Sequence, residues 1–90
     1  MPKYVIERDL PGLGSLSDDE LHSISVKSNQ VLADLAPRVQ WQHSYVTGDK
    51  MYCVYIAEDE AAVREHADGG GFPATAVNAV KTVIDPTSGE

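Results

Sequence analysis

The sequence predicts an α+β protein of the ferredoxin-like βαββαβ type, in which two helices cover one face of a four-stranded antiparallel sheet. Three observations support this fold: strand-like and helix-like segments in that order, a well-marked helix start, and a hairpin signal between two successive strands. The chain has 90 residues, of which 42% are hydrophobic and 23% are charged. We therefore expect a single soluble domain over residues 1–90.

The first strand and the first helix follow from local signals. Residues 3–9 are rich in Tyr, Val and Ile and are stopped by Pro11, which predicts a strand. Ser17 and Glu20 have the spacing of a capping box, so a helix is expected to begin after Ser17. Pro37 ends that helix near Leu35. Its apolar positions recur at helical spacing: Leu21, Ile24, Val31, Leu32 and Leu35.

Two strands joined by a hairpin are expected next. Residues 39–46 alternate in character, which predicts Val39, Trp41, His43 and Tyr45 on one face. Residues 51–57 form a continuous apolar and aromatic strand. Between the two strands, Gly48 suits the first position of a type II′-like turn.

The register of this hairpin stays open at the level of sequence. A two-residue loop sets the row of Trp41, His43 and Tyr45 beside the even-numbered residues of the next strand: Tyr52, Val54 and Ile56. A three-residue loop sets the same row beside Cys53 and Tyr55 instead.

A second, shorter helix and a final strand complete the predicted order. Asp59 is expected to cap a helix that runs to Ala67 and ends at the glycine run 69–71. Residues 77–84 are expected to form the final strand, with Pro86 as its stop.

The third strand, residues 51–57, is apolar on both faces, and two helices can cover only one of them. A two-fold homodimer that packs sheet against sheet is the simplest source of the second cover. A monomer with a ligand groove or with scattered exposed aromatics is the alternative.

Composition and charge exclude several functions. The net charge of −7 argues against nucleic-acid and anionic-membrane partners, which need basic clusters. Cys53 is the sole cysteine, so an internal disulfide and paired-cysteine zinc sites are impossible, and a reducing cytoplasm is the expected location. No motif of a hydrolase, a metalloprotease or a P-loop is present. The sequence therefore favours a protein without catalysis of its own, with a small enzyme as the alternative.

The histidines and one carboxylate are the candidate metal ligands. Asp18 and His22 share a helix face at i, i+4 spacing, so their side chains can converge on a divalent ion, although such pairs are commonly just exposed. His43 lies mid-strand between aromatic residues, which favours a hydrogen-bonded core histidine over a ligand. His66 ends the second helix, where it can also serve as a dipole partner.

An interior site is the second functional interpretation. Glu7 lies in a charged strand end, where one charge must turn toward a covered face and requires a partner. Glu7, His43, Tyr45 and Cys53 are the candidate lining residues of a small ligand-binding or enzymatic site inside a dimeric α+β barrel.

Several strings along the chain resemble a family of small bacterial nickel-binding proteins, also described as a domain of unknown function. The resemblance covers nearly the whole chain and is carried by residues 4–12 (YVIERDLPG), 41–47 (WQHSYVT), 49–55 (DKMYCVY), 64–67 (REHA), 71–73 (GFP) and 84–86 (IDP). It implies a ferredoxin-like dimer that binds nickel or another divalent metal ion and has a role in nickel sequestration. The matching positions with metal-binding side chains are His43 and His66; His22 lies outside these strings.

Overall fold

Strands and helices follow one another in the predicted order β, α, β, β, α, β. The computed structural model describes residues 1–71 and 73–90. The elements are β1 (Lys3–Asp9), α1 (Asp18–Leu35), β2 (Val39–Val46), β3 (Lys50–Ala57), α2 (Glu60–Gly70) and β4 (Ala76–Ala79). The strands pair antiparallel in the order β2-β3-β1-β4, which confirms the ferredoxin-like fold.

Both helices begin at the predicted caps. The Ser17 hydroxyl accepts a hydrogen bond from the backbone N–H of Glu20 at 3.2 Å, and the Glu20 carboxylate accepts one from the backbone N–H of Ser17 at 3.2 Å. Asp59 caps α2 by accepting from the backbone N–H of Ala62 at 2.8 Å. α2 runs past the predicted end to Gly70. Neither helix, within the described part of the chain, has the length and apolar content needed to cross a bilayer.

The sheet has one covered face and one open face. On the covered face the side chains of β1 and β3 are buried beneath the helices: Tyr4, Ile6, Arg8, Met51, Cys53, Tyr55 and Ala57. On the open face the alternating residues of the same strands are half-buried: Val5, Glu7, Tyr52, Val54 and Ile56. The core therefore lies on one side of the sheet, and within the described residues no element covers the other side.

A β-bulge at Gln42 divides β2 into two halves. Val39 and Trp41, before the bulge, share the face that is covered by the helices. His43 and Tyr45, after the bulge, pair with residues of the open face. The predicted single row of these four residues is therefore wrong, because one inserted residue reverses the alternation of side chains.

The loop of the β2–β3 hairpin consists of Gly48 and Asp49. The backbone N–H of Thr47 donates to the carbonyl of Lys50 at 2.9 Å, which closes a two-residue loop. The predicted II′-like turn is wrong, because that turn needs a positive φ at its first loop residue and Gly48 does not have one.

The register combines parts of both alternatives. Beyond the bulge, His43 pairs with Val54 as the two-residue loop requires. Before the bulge, Trp41 pairs with Tyr55, a partner that the three-residue loop predicted. Cys53 pairs with Ser44 and shares no face with His43.

The last strand is shorter than predicted. The backbone N–H of Val80 donates to the carbonyl of Lys3 at 2.8 Å, and β1 begins at Lys3. Residues 81–84 therefore have no strand beside them and form no ladder. Val83 and Ile84 are 67% and 80% exposed.

Candidate functional site

An interior cavity of about 140 Å³ lies between the helices and the covered face of the sheet. It sits near the end of β1, beside the β2–β3 hairpin and the first half of α1. Most of its wall is apolar, with contributions from Leu21, Ile24, Trp41, Val46, Met51 and Ala67. The rest of the wall carries polar groups. Because ligand sites typically combine apolar walls with a few polar groups, this cavity is the candidate functional site.

Four buried polar side chains, each from a different element, meet at this cavity. Arg8 of β1 donates through Nη2 to the Tyr55 hydroxyl of β3 at 3.3 Å. The same hydroxyl lies 3.0 Å from Nε2 of His66 in α2. The Ser28 hydroxyl of α1 lies 3.3 Å from that nitrogen. A continuous hydrogen-bonded chain therefore links the sheet to both helices.

Burial shifts the pKa of two members of this chain in the direction that favours the uncharged form. Burial and the neighbouring charge of Arg8 lower the pKa of His66 to about 4. Burial, followed by the nearby Cys53, raises the pKa of Tyr55 to about 12 against the opposing effect of Arg8. Since a guanidinium stays protonated in proteins, Arg8 is the charged member of the four.

Among the described residues, no carboxylate lies within ion-pair distance of Arg8. Its Nη1 donates to the backbone carbonyl of Pro73 at 3.0 Å, so both acceptors that residues 1–71 and 73–90 offer it are neutral oxygens. The ion pairs of the described residues, formed within 4.0 Å, belong to Arg38, Lys50 and Arg64. Arg8 is only 2% exposed. A buried cation with neutral partners is an unusual feature of a small core.

The predicted metal ligands lie at separate places on the molecule. Asp18 and His22 are exposed near the start of α1, His43 is exposed on the open face, and His66 is buried at the cavity. Throughout residues 1–71 and 73–90, no three His, Cys, Asp or Glu side chains are grouped to hold a metal ion. One chain therefore offers a nickel ion at most two such donors at any described place.

The structure reverses the expected exposure of two histidines. The sequence predicts His43 as a core residue, whereas the bulge at Gln42 turns it outward. There its Nε2 lies 3.2 Å from the Tyr45 hydroxyl, with the two rings edge to face. His66, predicted at a helix end, is 3% exposed because α2 extends beyond it.

The sheet separates the residues of the predicted interior pocket. Cys53 lines the cavity, whereas Glu7, His43 and Tyr45 lie on the open face. Glu7 finds its partner there, since its carboxylate accepts from Lys50 Nζ at 2.6 Å. That hydrogen bond and the negative charge of Glu7 raise the pKa of Lys50. The four residues therefore do not form one pocket.

Three of the four residues in the hydrogen-bonded chain were not predicted as site residues: Arg8, Ser28 and Tyr55. The alternation of β1 could have predicted the burial of Arg8, because Arg8 lies on the same face of the strand as the apolar residues Tyr4 and Ile6. Ser28 lies four residues after Ile24, on the apolar stripe of α1. Nothing in the local sequence marks Tyr55, because β3 is apolar at both parities.

These features define a small ferredoxin-like α+β protein with a partly polar cavity beneath its helices. The chain belongs to the SCO4226-like family, described as nickel responsive protein SCO4226-like, whose model matches residues 4–80. The crystal structure of SCO4226 from Streptomyces coelicolor A3(2) is similar, with a TM-score of 0.76 and 16% sequence identity. That match covers 91% of this chain and 99% of the other, and it shows a shared fold. No curated protein sequence matches this one.

Proposed function

We propose that this protein binds nickel and related divalent cations through exposed side chains and sequesters them, without catalysis of its own. Membership of a family described as nickel responsive carries the proposal. The net charge of −7 supports it, because an acidic surface attracts cations. Imidazoles and carboxylates are also suitable nickel ligands.

Asp18 and His22 are the pair of donors best placed for this role. Both are exposed, and they lie one turn apart on the same side of α1. With two protein donors, water completes the coordination of the ion. We therefore expect weak, exchangeable binding, which suits a protein that takes up excess metal and releases it.

A homodimer that covers the open face of each sheet is the second part of the proposal. The middle of that face is apolar, with half-buried Val5, Val54 and Ile56. At one end, Lys50 Nζ lies 2.6 Å from the Glu7 carboxylate and 3.5 Å from that of Asp9, so each of these charges has an opposite charge beside it and the group keeps one net negative charge. His43 lies on the same face, and a second copy would bring further donors near it.

Calorimetric nickel titration of single variants tests the histidine ligands. We expect His22→Ala and His43→Ala each to weaken nickel binding, because each removes an imidazole that is exposed in the single chain; in the proposed dimer, His43 lies at the interface beside donors of the second copy. His66→Gln is the matched control, and it should bind nickel as the unaltered protein does, because His66 is buried. Acidification should weaken binding, since a protonated imidazole has no lone pair for the metal.

Two outcomes would reject this assignment. Nickel binding unchanged in both alanine variants would exclude a histidine-based surface site. A loss confined to His66→Gln would place the metal in the interior and would contradict the surface proposal.

A further inference from the structure

We propose that the interior cavity is a binding site for a small monocarboxylate, whose carboxylate pairs with Arg8 and whose short apolar chain lies against Ile24 and Trp41. This inference is independent of the surface nickel sites. It rests on the charge of Arg8, on the size and chemistry of the cavity, and on an unused nitrogen of His66.

The charge of Arg8 requires an anion. A buried ion that lacks a counter-ion is strongly unfavourable, and the described neighbours of Arg8 supply neutral oxygens only. A guanidinium has five N–H donors, and Pro73 and Tyr55 each accept one hydrogen bond from them. The other N–H groups of the guanidinium can donate to a carboxylate. An anion in the cavity would neutralise the charge at the point where Arg8 reaches the cavity wall.

His66 supplies a second polar position in the same wall. Its Nδ1 is buried and has no hydrogen-bond partner among the described residues. The Tyr55 hydroxyl accepts from Arg8 and can donate its own proton to Nε2 of His66. In the tautomer that this second bond requires, Nδ1 carries the imidazole proton and is a buried donor without a partner among the described residues.

The size and walls of the cavity limit the ligand. A cavity of about 140 Å³ is similar to the roughly 150 Å³ apolar cavity that accommodates benzene in another protein. Apolar side chains form most of this wall, so a fully polar anion such as phosphate would remain poorly solvated there. A short aliphatic carboxylate would place its charged group beside Arg8 and its hydrocarbon chain against the apolar side chains of the wall. Val46 lines the cavity and is 44% exposed, so this part of the wall reaches the protein surface.

The fluorescence of Trp41 provides a direct test. Trp41 is the sole tryptophan and lines the cavity, so its emission reports on an occupant. Butyrate is the probe, and butyramide is a neutral analogue of the same size. At constant ionic strength we expect saturable binding of butyrate and at least about tenfold weaker binding of butyramide, because only butyrate forms a charge-assisted pair with Arg8.

Two variants and a matched control locate the effect. Arg8→Met should abolish the preference for butyrate, whereas Arg38→Met, which removes an exposed arginine, should leave it unchanged. Val46→Phe should weaken both probes by filling the cavity mouth. If Arg8→Met does not fold, the comparison of the two probes and the Val46→Phe variant still decides the proposal.

Three results would overturn it: no response of Trp41 to butyrate at tens of millimolar, equal affinity for both probes, or unchanged butyrate affinity in folded Arg8→Met. Nickel titration of Arg8→Met should match that of the unaltered protein. Failure of the carboxylate site is therefore distinguishable from failure of the surface nickel sites.

Discussion

The imidazole of His66 and the hydroxyl of Tyr55 lie 3.0 Å apart in the interior, and burial shifts the pKa of each in the direction that favours its uncharged form. The pair joins the C-terminal half of α2 to the middle of β3. Because a buried neutral histidine must take up a proton when acid unfolds the protein, this contact makes stability depend on pH.

We expect the free energy of unfolding to fall as the pH decreases from about 6.5 to about 4. An unfolded histidine takes up a proton near pH 6.5, whereas His66 in the folded protein stays neutral down to a pKa of about 4. Above about pH 6.5 the group is neutral in both states and has no effect. The loss approaches roughly 3 kcal/mol near the folded pKa. Urea unfolding across this pH range measures it.

His66→Gln separates this effect from the titration of carboxylates. The glutamine amide does not titrate, so the pH dependence of its unfolding should be flatter than that of the unaltered protein. His22→Gln, which alters an exposed residue, should keep the original slope. Equal slopes for His66→Gln and the unaltered protein would contradict the buried neutral state of His66.

Two glycines near the hairpin should respond differently to alanine. A Cβ at Gly14 would lie 2.8 Å from Cα of Gly48 and 2.9 Å from the carbonyl oxygen of Thr47, whereas a Cβ at Gly48 would meet no atom within 4 Å. We expect Gly14→Ala to cost about 1–3 kcal/mol, because backbone atoms must move apart. Gly48→Ala should leave the thermal midpoint nearly unchanged. The same melting temperature for both variants would mean that the loop and the hairpin do not touch.

Ser17→Ala should reduce stability by about 1 kcal/mol, because it removes the cap and half of the capping box of α1. Ser23→Ala is the matched control within the same helix. Its hydroxyl only donates back to the carbonyl of Asp19, so alanine should be neutral or slightly favourable. Denaturant midpoints of the two variants provide the comparison. A Ser17→Ala midpoint equal to that of Ser23→Ala would show that the cap contributes nothing.

Val54→Lys tests the proposed dimer. Light scattering at micromolar concentration should give twice the 9.7 kDa mass of the chain, and the variant should give the single-chain mass. A lysine at Val54 would place a charge in the middle of the apolar open face. Val26→Lys, on the exposed side of α1, should remain dimeric. A single-chain mass for the unaltered protein would reject the dimer.

Local chemistry in the sequence accounts for much of the fold. The capping box of Ser17 and the proline after Leu35 depend on neighbouring residues alone, and each places an element end. The loop of the β2–β3 hairpin is different, because the sequence leaves its length open and backbone groups of Leu10, Gly12 and Gly14 hydrogen-bond to it. The short β4 does not follow from its own residues. Its length is set by the start of β1 at Lys3, which is a tertiary constraint that the apolar character of residues 80–84 does not reveal.

The candidate site was less predictable than the fold for a similar reason. Cys53 and His66 were predicted as site residues, but their shared cavity depends on how α2 packs against β3. Arg8 has the parity of the buried residues of β1, yet a charged residue at a strand end is usually solvated. Its burial follows from acceptors distant in sequence, Tyr55 and the carbonyl of Pro73. Such partners cannot be inferred from spacing along the chain.

At Gln42, the presence of an extra residue in β2 matters more than the type of its side chain. Its side chain is exposed, so most residues would be tolerated there. A deletion would not be, because β2 would regain strict alternation. Either Trp41 would leave the cavity wall or His43 would turn into the core, depending on which half of the strand kept its pairing. A relative with a gap at this position would therefore differ in which residues of one half of β2 face the interior and which face the outer surface.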